Sequence, residues 1–532
     1  MYWPTNRSAL PCKSTKGTRC LTASTARCTR CLTKPEMQLT DKAYPQWCMA
    51  TLLALCVAFP WVHPFSWGPN PDMMQRLVTA GCSAAFLLLW AAAKGYLSLQ
   101  LLVRTVAAAW LAAALLSSAM ALLQYFGQVS GALADWVIRT DAGNAFANLR
   151  QRNQFASLTS IGLMSLLYLS AGPAGGWLGR SLPVRHLLVG GAVLLLALGN
   201  AASSSRTGVL QWALIAGLAL LWDRQDRRSV LRWSVLALGL YLAANLVLPL
   251  LLQVVSGLEP SSALDRFGET RRGEARIVLW ANVLELIRER PWWGWGWGEL
   301  KYAHFMQPYA GERFADLLDN AHNLPLHLAV ELGVPAAVLL CGGALALVLT
   351  ARPWREVNAS RQLAWGVLLI LGVHSLLEYP LWYAPFQVAA VLALGILWGR
   401  DLLLWPGLRW LACGLAGLLI ALGAYAGWDY WRISQLYLPP EHRAAQWREN
   451  TFAKVKDSVL FRREVQFAYV TTTPVTPETA EALYTASLQT LHFSPEPKVI
   501  AVLLESAALM GMESPLTEHI RRQWRAAYRE GY

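Results

Sequence analysis

Residues 319–350 read DNAHNLPLHLAVELGVPAAVLLCGGALALVLT, and this stretch decides the fold. It opens on a polar turn, Asp319-Asn-Ala-His322-Asn323, and then stays apolar, with few breaks, as far as Thr350. A run of this kind exceeds the roughly 20 residues needed to cross the hydrocarbon core of a bilayer, and in lipid only a helix satisfies its backbone polar groups. His322 therefore sits where a polar loop meets a transmembrane helix. From there an imidazole can face both water and a lipid-borne substrate.

The rest of the chain repeats the pattern. Of its 532 residues 55% are hydrophobic and 15% charged, and its mean hydropathy is +0.32. About eleven apolar runs of near-spanning length are found, near 47–66, 77–93, 99–123, 154–171, 186–203, 208–222, 232–256, 323–350, 362–379, 383–399 and 403–427. The expected fold is all-α: a polytopic membrane protein with about eleven transmembrane helices, a long outer loop and a small helical C-terminal domain.

Arginine and lysine stay preferentially on the cytoplasmic side. Residues 1–46 carry Arg7, Lys13, Lys16, Arg19, Arg27, Arg30, Lys34 and Lys42, which places the N-terminus inside. Alternate loops then agree, through Lys94; Arg180 and Arg185; Arg224, Arg227, Arg228 and Arg232; Arg352, Arg355 and Arg361; and Arg400 and Arg409. The resulting plan has a basic cytoplasmic extension at 1–46, helices one to seven over 47–256, an outer loop over 257–322, helices eight to eleven over 323–427, and an outer helical domain over 428–532.

Residues 1–36 are basic, rich in Ser and Thr, and lack an apolar run of signal-peptide length. Two readings stand for them: a native extension, or sequence upstream of a true start at Met37. Cys28-x-x-Cys31 lies here, but a zinc site needs a second ligand pair and a fold around it, so no metal is expected. The cysteines of the apolar runs read as small hydrophobes. The net charge of +13 is spread over many loops instead of being gathered on one face with aromatics, which argues against nucleic acid as a partner.

Several arginines break the charge rule by lying outside. Asn148-Leu-Arg150-Gln151-Arg152-Asn153-Gln154 precedes the fourth run, where its amides and guanidinium groups can bind sugar hydroxyls and phosphate oxygens. A solvated helix start is the plainer reading. Ser203-Ser-Ser-Arg206-Thr207-Gly208 holds an arginine in a tight turn, suited to a pyrophosphate or to simple snorkelling at the interface. The long loop adds Arg266, Arg271, Arg272 and Arg276, a helical-looking stretch from Ile277 to Arg290, and then Pro291-Trp-Trp-Gly-Trp-Gly-Trp-Gly298. Those tryptophans fit a headgroup anchor or a platform for sugar rings, and both readings stand.

His322 lies beside Asn320 and Asn323, whose amides, with Asp319, can orient its ring; at this position it is a candidate general base. His327 and Glu331, at i and i+4, read as a structural pair. At the outer end of the ninth run, His374-Ser-Leu-Leu-Glu378-Tyr379-Pro380-Leu-Trp382-Tyr383 places ionisable groups at the rim, where they are expensive unless they face a cavity. His374, Glu378 and Tyr379 are therefore site candidates, although an aromatic belt explains Trp382 and Tyr383 equally well.

Taken in order, these blocks resemble the bacterial O-oligosaccharyltransferases, the pilin glycosylation ligases related to O-antigen ligases and Wzy polymerases. The resemblance runs from about residue 45 to the end, with the ligase-like core at about 190–400, and includes Asp429-Tyr-x-x-x-Ser434 and Phe493-Ser-Pro-Glu-Pro497 in the tail. It implies a multi-pass protein of the bacterial inner membrane with its active site facing the periplasm. The implied partners are a polyprenyl pyrophosphate-linked glycan as donor, a pilin or other periplasmic protein as acceptor, and membrane lipids. The glycan would pass to a Ser or Thr hydroxyl with no cofactor. His322, Arg206, Tyr379 and Gln151 are the expected catalytic residues, His322 as base and Arg206 at the pyrophosphate. Arg150, Arg152, Asn153, Asn320, Asn323, Glu378, His374 and Arg272 are expected to bind substrate. No Asp-x-Asp pair appears on the outer loops, which argues against a metal-bound nucleotide sugar as donor.

Two other functions compete. Transfer to a lipid A core, or polymerisation of the glycan, uses the same chemistry. A transporter or flippase would carry its ionisable residues at mid-bilayer, whereas here they gather at the outer rim, with Arg104 and Glu331 as the exceptions.

Overall fold

The computed structural model describes residues 37–93, 97–170, 182–222, 227–257, 270–404 and 407–528. Residues 1–36 and their four cysteines lie outside the described residues, as do Lys94, Arg180, Arg224 and Arg266 and the side chains of Lys42, Arg227, Arg271, Arg272 and Arg400. The chain divides into two units, Met1–Gln46 and Trp47–Tyr532. Of the first, only the start of a helix is described.

Among the described residues all regular structure is helical. In chain order the helices are α1 (Met37–Val62), α2 (Pro71–Ala93), α3 (Leu99–Tyr125), α4 (Arg152–Ser170), α5 (Leu182–Ala202), α6 (Arg206–Leu221) and α7 (Arg227–Ser256). There follow α8 (Thr270–Glu289), α9 (Leu300–Met306), α10 (Leu324–Leu332), α11 (Val334–Ala351), α12 (Ala359–Ser375), α13 (Ala384–Leu404) and α14 (Leu408–Ser434). The tail holds α15 (Thr451–Val455), α16 (Arg462–Thr472), α17 (Ala480–Leu491), α18 (Pro497–Leu509) and α19 (Pro515–Ala527). Six of them, α2, α3, α5, α7, α11 and α14, are long and apolar enough to cross a membrane, and stretches of α1, α6 and α13 are shorter apolar helices.

The bundle is organised around α4, which packs on α3, α5, α6 and α12. Its sequence is apolar or small on every side, and a helix with no polar face belongs in the interior. Phe155, Leu158 and Ile161 are fully buried. Ser157, Ser160, Gly162 and Ser165 keep its girth low, so neighbouring helices approach closely. At Gly162 a Cβ would run into Ala114 of α3. By contrast α11 buries only Ala337 and turns Leu339 and Leu347 outward, a surface for hydrocarbon to solvate.

The single run expected over 323–350 is two helices. Gly333 adopts φ +90°, which ends α10 and starts α11 in a new direction, with Pro335 in the first turn of α11. The cause is the Pro291–Gly298 stretch, which docks its backbone on this break. Trp295 N donates to Val330 O at 2.9 Å, Gly296 N to Glu331 O at 2.9 Å, and Val334 N to Pro291 O at 2.8 Å. A side chain at Gly294 would collide with the Glu331 carbonyl, so the Gly/Trp alternation serves close backbone approach. Helix α12 ends at Ser375, so Glu378 and Tyr379 lie beyond it, and α14 continues past Trp428 to Ser434.

The tail is joined to the long loop. Phe305 of α9 is buried among Val470, Leu483, Leu503 and Ile520, and Arg313 reaches Gln523 at 3.3 Å. The charged pair Asp429 and Arg432, bonded at 2.7 Å, fastens the start of the tail to the end of α14, with Asp429 also accepting from Ser458 Oγ and Leu460 N.

Candidate active site

The polar turn before α10 is built by its asparagines. Asn320 Oδ1 accepts from His322 N at 2.8 Å, closing a side-chain turn that lets His322 take φ +50°. Asn323 then caps α10, its Oδ1 accepting from Leu326 N at 3.1 Å, and its Nδ2 donates to Leu376 O at 3.1 Å. Trp280 Nε1 holds the turn from α8 through Ala321 O at 3.0 Å. Asn320 and Asn323 thus shape the backbone that presents His322.

The imidazole meets Glu378. His322 Nδ1 lies 2.7 Å from Glu378 Oε2, while Oε1 of the same carboxylate accepts from Arg276 Nη2 at 2.9 Å and from Asn153 Nδ2 at 3.0 Å. Burial would raise the Glu378 carboxyl, but the hydrogen bond with His322 and the charges of His322, Arg276 and His374 outweigh it and hold the group below its ordinary value. Tyr379 stands with its ring 5.2 Å from that of His322, and burial, followed by the nearby Tyr383, Asp319 and Glu378, pushes its phenol up.

A cavity of about 800 Å³ adjoins this cluster, lined by Arg150, Gln151, Arg152, Asn153, Arg206, Arg276 and Glu378, with Val209, Leu210 and Ala213 of α6 along one wall. Arg206 is the first residue of α6, whose N-cap is Ser205. Ser205 Oγ donates to Asn153 Oδ1 at 2.6 Å, so the arginine turn and the glutamate are linked through Asn153. Gln151 caps α4, its Oε1 accepting from Gln154 N at 2.7 Å. Arg150 is tied to Ser66 Oγ at 3.0 Å, which anchors the segment between α1 and α2.

His322, Glu378, Asn153, Arg206, Arg150, Arg152 and Gln151 are therefore brought to one place, with Tyr379 against the histidine. Arg272 is in the first turn of α8 with its side chain outside the described residues; Arg276, one turn later, makes the contact with Glu378. His374 is 1% exposed and lies deeper, its Nδ1 2.8 Å from Ser157 Oγ. His327 and Glu331 do face each other, at 3.5 Å. A second cavity, of about 820 Å³, lies on the far side of the Tyr379–Trp382 turn, where Trp297 and Trp382 stack with ring centres 6.2 Å apart. Among the described residues no group of three or more His, Cys, Asp or Glu side chains is placed to hold a metal ion.

Comparison with known proteins divides the chain into stretches that meet at this site. A protein glycosylation ligase model matches residues 145–169, an O-antigen ligase model residues 191–341, and the C-terminal model of a virulence factor membrane-bound polymerase residues 362–532. Asn153 comes from the first, Arg276 and His322 from the second and Glu378 from the third. A general O-oligosaccharyltransferase of Acinetobacter baylyi is 24% identical over 298 residues, 54% of this chain and 49% of that protein. A ComP-specific O-oligosaccharyltransferase of the same bacterium is 24% identical over 247 residues, 46% of this chain and 42% of that protein. The chain spans about half the length of the curated relatives it matches. The motif resemblance to O-oligosaccharyltransferases and O-antigen ligases is thereby supported, with the tail falling in the polymerase match.

Proposed function

We propose that this chain transfers a preassembled oligosaccharide from a polyprenyl pyrophosphate to a Ser or Thr hydroxyl of a periplasmic protein such as a pilin, at the outer face of the bacterial inner membrane. The observation that carries the reading is the His322–Glu378 pair at the rim of an arginine-lined cavity that is apolar along α6. A carboxylate only accepts, so Nδ1 of neutral His322 carries the proton and Nε2 keeps its lone pair. Nε2 takes the hydroxyl proton as the oxygen attacks the anomeric carbon, the bond from that carbon to the pyrophosphate oxygen breaks, and its electron pair leaves with the pyrophosphate. Arg206, Arg152 and Arg276 offset the growing charge, and the isoprenoid lies along Val209, Leu210 and Ala213. Tyr379 and Gln151 orient glycan or acceptor.

The names of the relatives favour a protein acceptor, while the O-antigen ligase and polymerase models keep a lipid or glycan acceptor as the second reading. Co-expression of the full chain with a lipid-linked glycan pathway and a pilin, followed by intact mass spectrometry, tests the choice. A glycan-sized mass increase that is lost with His322→Ala supports protein transfer. An unmodified pilin beside a new lipopolysaccharide ladder would replace it with the second reading.

A further inference from the structure

His374 lies on the side of the bundle facing α4 and α6, within a buried ladder of polar side chains. Asn153 and Ser157, one turn apart on α4, meet Glu378 and His374, four residues apart at the end of α12, at 3.0 and 2.8 Å. Gln211 of α6 closes the ladder: its Nε2 donates to Ser157 Oγ at 2.8 Å and to Ile370 O at 3.2 Å, and its Oε1 lies 2.8 Å from Ser160 Oγ. Ser157, Ser160, Gln211 and His374 are each no more than 1% exposed. In a bundle whose apolar contacts can slide, such bonds fix one register, because shifting α4 along α12 leaves buried donors and acceptors unpaired. The ladder also has a direction. Gln211 spends its amide hydrogens on Ser157 and Ile370, so the Ser157 hydroxyl donates to Nδ1 of His374, which is neutral with its proton on Nε2.

We propose that Ser157 and His374, held by Gln211, are positioning residues that set the height of α4 against α12 and thereby the angle at which Glu378 meets His322. The proposal rests on the function argued above. Glu378 N donates to His374 O at 2.8 Å, so a displaced His374 carries the glutamate backbone with it.

The test uses the purified full chain in lipid nanodiscs, given a synthetic polyprenyl pyrophosphate-linked disaccharide and purified unmodified pilin, with rates normalised to folded protein. Ser157→Ala and His374→Phe are expected to lower kcat about tenfold or more with little change in donor KM. His374→Asn, whose Oδ1 can take the place of Nδ1, should restore kcat; His374→Gln should not. Unchanged kcat in Ser157→Ala and His374→Phe, or equal loss in Asn and Gln variants, would overturn the proposal. Absence of transfer by the wild-type chain, or full activity of His322→Ala, would instead count against the underlying function.

Discussion

Glu378 lies 2.7 Å from His322 although 56 residues separate them, and two helices, α8 and α4, deliver the other partners of its carboxylate. One oxygen takes the imidazole while the other takes Arg276 and Asn153, so both oxygens are engaged. Under the proposed function, a carboxylate held this way works through the histidine and not as a second base.

Replacing Glu378 by Gln keeps the size of the side chain but removes the charge and turns an amide donor toward either Arg276 or His322. Transfer should fall by about 10- to 100-fold, within the range a positioned base supplies. The carboxyl is held below its ordinary value, so it contributes stability above that value and loses it as pH falls through the lowered one. Glu378→Gln should therefore flatten the acid side of the unfolding curve. Acceptor occupancy by intact mass and thermal unfolding against pH check the two halves.

Gly294 and Gly333 sit at φ +69° and +90° where the tryptophan stretch lies on the α10–α11 break, and a Cβ at either would meet backbone. Each Gly→Ala change should cost more than about 1 kcal/mol, beyond the penalty of the backbone conformation alone. Because α10 carries His322 at its entrance, activity should fall further than stability. The outcome contrary to this is a variant with normal melting and normal transfer.

Phe305 belongs to the long loop by sequence but to the tail by packing, at 3% exposure in the tail core. Phe305→Ala should destabilise that core by about 3 to 5 kcal/mol. The segment leading from α9 to His322 loses its anchor at the same time, so proteolysis at residues 307–321 should accelerate together with cleavage in the tail. Cleavage in the tail alone would show that the two are independent.

The all-helical, membrane-type architecture was legible because long apolar runs report directly on burial. The break at Gly333 was hidden because its cause lies forty residues away, in backbone pairing with Pro291 and Trp295. At the site, His322, Glu378 and Arg206 stood out as ionisable groups next to apolar runs. Ser157 and Gln211 gave no such signal, since serine and glutamine in an apolar helix acquire meaning only from what faces them. Arg276 was one of several loop arginines until α8 fixed which face carried it.

His304 offers a pH response separate from the His322–Glu378 pair. Its Nε2 lies 3.0 Å from Phe314 O and its Nδ1 2.8 Å from the Tyr309 hydroxyl, so the neutral ring donates to the carbonyl and accepts from the phenol. Burial, with the charge of Arg313 added, lowers its pKa from 6.5 to about 4. The unfolded chain therefore binds this proton more readily than the folded one, and stability should be lost as pH falls from about 6.5 toward 4. At the bottom of that window the loss approaches about 3 kcal/mol. His304→Gln can donate to Phe314 O and accept from Tyr309 without titrating. Thermal unfolding of the full chain from pH 7 to pH 5 should show a falling midpoint for the wild type and a flatter one for the variant, whereas parallel curves would assign the response to another group.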